Sequence, residues 1–396
     1  MKRSLFFLIL ISCILFSQNI SNDLKIAIEN IKSENPVKRA YGAYKIGRLT
    51  EDIKEAIPYL INILEDERPV VDNIIGKTSP SNEAKKVLVK TGSQALPYLF
   101  EKFNDEKTLK SLKIKIIEIL GEINDETSII FLEKIANEKD FDFKEKAIEI
   151  LSLNKNETDF LINYYKTADN FTKIKIIYSF GKTKNSQVLP FLYEILNDKN
   201  WEIKKFALWS IGEIKNVDDI TPIIKLLKDK EYLVRKEAVE TLGKIKSPVS
   251  IPYLIELLED SNWLVRQAAI KALREIKDER ALEPIINALY DKQIEVKIEA
   301  IKTLSIFKNK KATISLIICL NDKNPIIKEY SAYALGEIRD KRAIYPLINL
   351  LSDKNIEVRK TAFESLRKIT GVNLGYEKEK WYKWAAENKV STITEN

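Results

Sequence analysis

No histidine occurs anywhere in these 396 residues, and only two cysteines do. The missing histidine excludes Ser-His-Asp and Cys-His nucleophile systems and every His-ligated metal site. One of the two cysteines, Cys13, lies in an apolar leader, so no structural disulfide is available within the mature chain. Glycine and proline are scarce, at 11 and 12 residues, which excludes long irregular loops. Neither sign of charge dominates. The 65 basic and 58 acidic residues leave a net charge of +7 and are mixed along the chain, as on a solvated surface. Long apolar runs are absent beyond the N-terminus, so any membrane anchor must sit there.

What is present points to a folded helical protein. Hydrophobic residues make up 45% and charged residues 31%, within the range of folded soluble chains. The length exceeds the ~250–300 residues that one core organises, so several domains or a repeat array is expected. Residues 1–20 read as a signal peptide, with Lys2 and Arg3 ahead of an apolar run from Leu5 to Phe16 that is too short to span a bilayer. Two processing routes stay open. Ser17 can precede an ordinary cleavage site, whereas Leu10-Ile11-Ser12-Cys13 resembles a bacterial lipobox in which Cys13 is lipidated. Ile14, Leu15 and Phe16 continue the apolar run past the cysteine and weigh against the second route. Both routes place the mature chain in the periplasm or cell envelope.

The body of the chain is repetitive. Asp198, Asp229, Asp260, Asp291, Asp322 and Asp353 follow one another at a constant interval, with a basic residue six places after each: Lys204, Arg235, Arg266, Lys297, Lys328 and Arg359. A β-branched residue precedes each base, and a column of small residues follows: Ala207, Ala238, Ala269, Ala300, Ser331 and Ala362. Val234, Ala238, Val239, Leu242 and Ile245 form one helical stripe, and Ile251, Leu254, Ile255, Leu257 and Leu258 a second. Each unit is therefore two amphipathic helices that bury their stripes only by stacking on neighbouring units. Asn200, Asn262, Asn324 and Asn355 share a column where they cap the second helix, and Pro325 stands at a first helical position. Looser units upstream are predicted at 21–32/36–48, 93–103/109–121, 127–136/141–151, 157–167/170–180 and 186–197/201–214. Another pair, 53–66 and 80–91, is separated by the insertion Glu67 to Ser79. Roughly eleven pairs result.

The run from Asp229 to Gly243, repeated from Asp322 to Gly336, resembles the HEAT repeat in the short form named after phycobilin lyases. Thr78-Ser79-Pro80 through Leu99 and the tail from Ile369 to Trp384 are similar to units of the same family. The resemblance covers roughly 30–390 and implies an all-α, right-handed α–α superhelix over 21–370, closed by a capping segment at 371–396. It also implies that the second helix of each pair lines a concave face used for binding.

On that face Phe206 and Trp209 share one side of a helix, as do Tyr330 and Tyr333, with Lys271 and Lys302 between them. Trp201, Tyr232 and Trp263 begin successive second helices and form a further aromatic column. Exposed aromatics among charges suit a protein partner, although rings that fill gaps between helices would look the same in sequence. Gly76-Lys77-Thr78 is a decoy for a phosphate loop, since Val71 stands where a Walker motif needs glycine. Cys319 falls in an apolar helix column and reads as a core thiol. No catalytic residue, cofactor or metal is expected. The leading expectation is an exported, non-catalytic scaffold for a protein partner, with no nucleic acid and no membrane contact beyond a lipidated Cys13. The alternatives are a HEAT-like lyase or nucleic-acid-binding enzyme with a basic aromatic groove, which the leader disfavours, and a purely structural spacer.

Overall fold

A computed structural model describes residues 22–50 and 52–390. The expected signal peptide and Cys13 lie outside the described residues. The chain divides into two compact units, Met1–Ser179 and Phe180–Asn396.

In the first unit the helix at 22–32 pairs with Pro36–Ile46, Ile57–Asn62 with Pro80–Thr91, Leu96–Asn104 with Lys110–Ile123, and Glu126–Ala136 with Phe141–Leu153. Thr158–Thr167 and Asn170–Thr183 follow in sequence. In the second unit the pairs are Leu189–Ile195/Trp201–Ile214, Thr221–Lys225/Tyr232–Ile245, Ile251–Glu256/Trp263–Ile276, Leu282–Asn287/Ile294–Phe307, Thr313–Cys319/Pro325–Ile338 and Ile344–Leu350/Ile356–Thr370. The described residues thus hold eleven helix pairs, followed by the short helix Lys378–Glu387.

The insertion at Glu67 to Ser79 is a small antiparallel hairpin, a departure from purely helical structure. Val70–Asp72 pairs with Gly76–Thr78, Val70 opposite Thr78. The Asp72 carboxylate accepts the Ile74 and Ile75 backbone N–H groups (2.7 and 3.2 Å), and Gly76 takes a φ of +72° to close the turn.

The second helices of the second unit show why the columns recur. The side chains of Asn200, Asn262, Asn324 and Asn355 each accept a backbone N–H from the first turn, as capping requires. The β-branched column (Ile203, Val234, Val265, Val296, Ile327, Val358) and the small column are buried throughout. Successive second helices pack directly on one another. That packing is close enough that a Cβ added at Gly336 would stand 3.0 Å from the Cα of Ser365.

Five of these helices end on a non-glycine residue in the left-handed region: Lys215, Lys246, Lys277, Lys308 and Arg339. A side chain there is strained. Lys277→Gly is expected to raise stability by about 0.5–1 kcal/mol, the strain relieved minus the extra freedom of the unfolded chain. Urea unfolding of the two chains measures the difference.

The first helices are shorter than their apolar stripes predict. Ile251–Glu256, for example, is flanked by the 3-10 turns Pro248–Ser250 and Leu257–Glu259. The chain must reverse within a few residues at each end, and the tighter 3-10 winding achieves this.

The Asp and basic columns form a ladder between repeats. Arg235 donates to both carboxylate oxygens of Asp260 (2.7 and 2.8 Å), and Arg266 does the same to Asp291 (2.6 and 2.7 Å). Lys204 pairs with Asp229, Lys297 with Asp322, and Lys328 with Asp353. Five of the six bases therefore reach the aspartate of the following repeat, and Arg359, in the last repeat, donates to the Asp353 carbonyl of its own turn. Arg235 also donates to the Asp229 carbonyl of its own turn, at 2.9 Å.

Candidate functional site

The outward faces of the second helices in the second unit carry the residues singled out from sequence. Phe206 and Trp209 lie on one face of Trp201–Ile214 and are half-buried. Tyr330 is half-buried and Tyr333 is 46% exposed, on one face of Pro325–Ile338. Each ring has a cation over it. The Lys205 ammonium is 5.6 Å from the Phe206 ring centre, Lys244 is 5.8 Å from Trp209, Lys302 is 4.8 Å from Tyr330, and Lys368 is 4.8 Å from Tyr333. Lys271 is half-buried, with its ammonium 3.5 Å from the Gln267 amide oxygen, while Lys302 is exposed.

These four rings do not form one continuous patch. Glu240, Lys271 and Lys302 occupy the intervening repeats of the Trp209–Tyr333 column. Trp201, Tyr232 and Trp263 are half-buried at the helix starts. Trp263, with Arg266, Pro284, Tyr290 and Asp291, lines an open cleft of about 500 Å³ between two repeat turns.

Most cations of this layer already have partners. Lys244 donates to Glu213 at 2.8 Å, Arg274 pairs with Glu299, and Lys308 and Lys368 both reach Glu337, at 2.9 and 2.6 Å. The two lysines hold the Glu337 carboxyl at about 2, against its usual 4.5. A carboxylate depressed in the folded state stabilises fully above its unfolded value, and that contribution is lost as pH falls towards 2. Lys368→Met is therefore expected to lower stability at pH 7 and to narrow this gap as pH drops from about 4.5 to 2. Thermal melts of both proteins across that range read it out.

Two carboxylates of the layer are buried. Glu299 is 6% exposed and ion-paired to Arg274. Glu237 is 7% exposed and makes neither a hydrogen bond nor an ion pair. Burial, with Glu240 adding to it, pushes the Glu237 carboxyl above its ordinary range. Both residues stand in the same column as Phe206, one and three repeats further on.

The decoys are ordinary structure. Gly76-Lys77-Thr78 is the second strand of the hairpin rather than a loop leading into a helix. Cys319 is 8% exposed, and burial raises its thiol pKa. Among the described residues, no cluster of three or more Cys, Asp or Glu side chains is placed to hold a metal ion. No helix among them is long and apolar enough to cross a membrane.

A model described as HEAT repeats matches residues 158–230, 189–274, 251–329 and 315–378. No curated protein matches the chain significantly. Among solved structures, the chain is similar to Kap95p, a protein that binds RanGDP, with a TM-score of 0.53 and 13% identity over 94% of this chain and 59% of that one. It is also similar to an engineered protein (TM-score 0.40, 16% identity, 88% of this chain and 98% of that one). A third similarity is to the CpcE–CpcF complex of phycocyanin lyase from Nostoc sp. PCC7120 (TM-score 0.35, 16% identity, 58% and 93%). At these identities the likeness concerns fold alone. The family match spans more than half of the sequence and falls on the helix pairs and ladder described above, so the chain belongs to the HEAT repeat family.

Proposed function

We propose that this protein is a non-catalytic, extracytoplasmic scaffold that binds a protein partner along the outward face of its second helices. The observation that carries this reading is the set of cation-backed aromatic rings left half-buried or exposed on that face, with Trp209 and Tyr333 foremost. Aromatic rings at a surface are favoured anchors for a protein partner, since they bury large area at small entropic loss. The pairing of Lys244, Arg274, Lys308 and Lys368 with glutamates favours a protein over a nucleic acid, because neutralised cations leave little field for a phosphate backbone.

Export rests on the leader pattern of residues 1–20, with an anchor at Cys13 if the lipobox is used. Mass spectrometry of the mature N-terminus decides between cleavage after the leader and lipidation. Retention of residues 1–20 would remove the extracytoplasmic assignment.

A photo-crosslinker placed at Tyr333 in producing cells is expected to trap one defined partner. Trp209→Ala is expected to weaken the purified complex by about tenfold or more, the scale of a hot-spot ring. Affinity unchanged by Trp209→Ala together with Tyr333→Ala would overturn the assignment of this face. A salt-sensitive DNA shift would overturn the choice of partner class.

A further inference from the structure

The ladder of aspartates and bases ends on a donor that is held in place but has no acceptor. Arg235 and Arg266 divide their guanidinium groups in the same way. Nη1 donates back to the turn of its own repeat, to the Asp229 and Lys230 carbonyls (2.9 and 3.3 Å) in one case and to the Asp260 and Ser261 carbonyls (2.8 and 3.4 Å) in the other. Nε and Nη2 meet the two carboxylate oxygens of the next aspartate. Arg359, in the last repeat, makes the first half of this pattern, its Nη1 donating to the Asp353 and Lys354 carbonyls at 2.8 and 3.2 Å. Its Nε and Nη2 meet no carboxylate among the described residues.

The described chain supplies nothing for the second half. The residue 25 after Arg359 is Trp384, which has no carboxylate, and the helix that carries it packs chiefly on Ile344–Leu350. The carboxylates nearest along the chain are engaged. Asp353 accepts Lys328 at 2.7 Å and the Asn355 backbone N–H at 2.9 Å, Glu357 pairs with Lys360, and Glu364 pairs with Arg367. The rim around the free edge is apolar. Ile356 and Phe363 flank Arg359 on one side of the helix, three places before it and four after. Ile356 is 53% exposed, and Tyr376, 50% exposed, stands against Phe363 with ring centres 4.7 Å apart.

We propose that this end of the array is a docking site for a protein partner, and that Arg359 takes there an aspartate of the partner as Arg235 takes Asp260. The inference rests on the reading of the chain as a scaffold for a protein and adds a contact beyond the helix face already described. A guanidinium clamped by two carbonyls loses little freedom on taking up a ligand, and its planar fork matches both oxygens of a carboxylate. A carboxylate is favoured over a phosphate because every filled rung of the ladder holds one. In those rungs the aspartate also accepts the backbone N–H two residues on, as Asp260 does from Asn262 and Asp291 from Gln293, both at 2.8 Å. The guest is therefore an aspartate that opens a turn.

The test uses the full chain, 15N-labelled at arginine and 13C-labelled at isoleucine methyl groups. It is titrated with acetyl-Asp-Lys-Asn amide, the sequence that opens this turn in three of the repeats, and with acetyl-Asn-Lys-Asn amide. The aspartate peptide is expected to shift the Arg359 Nε–H and Ile356 methyl signals saturably, and the asparagine peptide is not. Arg359→Gln is expected to weaken binding, read at Ile356, roughly tenfold, the scale of a charge-assisted hydrogen bond. Arg359→Lys, the residue that three repeats carry in this column, keeps the charge without the fork and is expected to weaken binding by a smaller factor. Neither change orphans a carboxylate, so both variants should melt close to the parent and lost binding cannot be ascribed to unfolding. A photo-crosslinker at Ile356 in producing cells is expected to trap a protein through a peptide that contains aspartate.

Equal shifts with the asparagine peptide, no saturable shift, or binding within twofold of the parent in Arg359→Gln would each overturn the site. Saturation by inorganic phosphate at lower concentration than by the aspartate peptide would overturn the choice of a carboxylate. If the site fails while the Tyr333 cross-link persists, docking at the end of the array falls and the helix face stands. Aspartate binding with no protein trapped from Ile356 overturns the partner at this end, and with none trapped from Tyr333 either it overturns the protein-partner reading itself.

Discussion

Trp381→Ala is expected to destabilise the C-terminal end of the array by about 4 kcal/mol, the range for removing a fully buried tryptophan. Trp381 is 0% exposed, and its indole N–H donates to the Gly375 carbonyl at 2.7 Å. It seats helix Lys378–Glu387 against Ile344–Leu350, where Tyr382 donates to the Asn349 side chain at 2.6 Å and stacks on Tyr345. A repeat touches only its neighbours, so loss of the closing helix exposes the apolar side of the last pair before it affects any other. Hydrogen exchange should therefore show protection lost first in Ile344–Leu350 and retained in Trp201–Ile214. Uniform loss along the second unit would show that these repeats unfold as one block and that the terminal helix is no local cap.

Asp260→Ala is expected to lower stability by about 3 kcal/mol, on the scale of breaking a largely buried ion pair from one side. Asp260 receives both donors of Arg235 and also the Asn262 backbone N–H at 2.8 Å, so its removal leaves a charge and a turn amide unmatched. The side chains are only 13% and 8% exposed, which sets this pair apart from the solvent-screened pairs elsewhere on the surface. Arg235→Met alone should be milder, because methionine buries readily in the same space while Asp260 keeps its backbone donor. A double-mutant cycle in urea isolates the pair. A coupling energy below about 0.5 kcal/mol would reduce the ladder to a surface ornament.

The repeat was legible because each structural demand recurs in a column. A β-branched residue beneath the next helix and a small residue where helices touch are each written six times, and an asparagine at the cap four times. The direction of the ladder was not legible. Each base but the last, Arg359, has one aspartate six residues behind it and another 25 residues ahead, and only the stacking distance brings the second within reach. The hairpin at Val70–Thr78 was read only as an insertion, since its strands are three residues each and their pairing is set by Asp72 and Gly76 rather than by any apolar alternation.

The candidate site was legible as residue types but not as a surface. Phe206, Trp209, Tyr330 and Tyr333 were found from helical spacing. Their half-buried or exposed state depends on what the adjacent repeat places beside them, a lysine over each ring in this case.

By itself the sequence determined that this chain is an array of paired helices, how many pairs it has, and where each second helix begins. Those features follow from local periodicity and capping, which act within one repeat. Only the tertiary structure decided which charges meet, which rings stay at the surface, and that Glu237 is buried without a partner while Glu299 has one. Those outcomes depend on residues 25 or more positions apart being brought together by stacking, and a difference as small as glycine for arginine in the neighbouring helix reverses them.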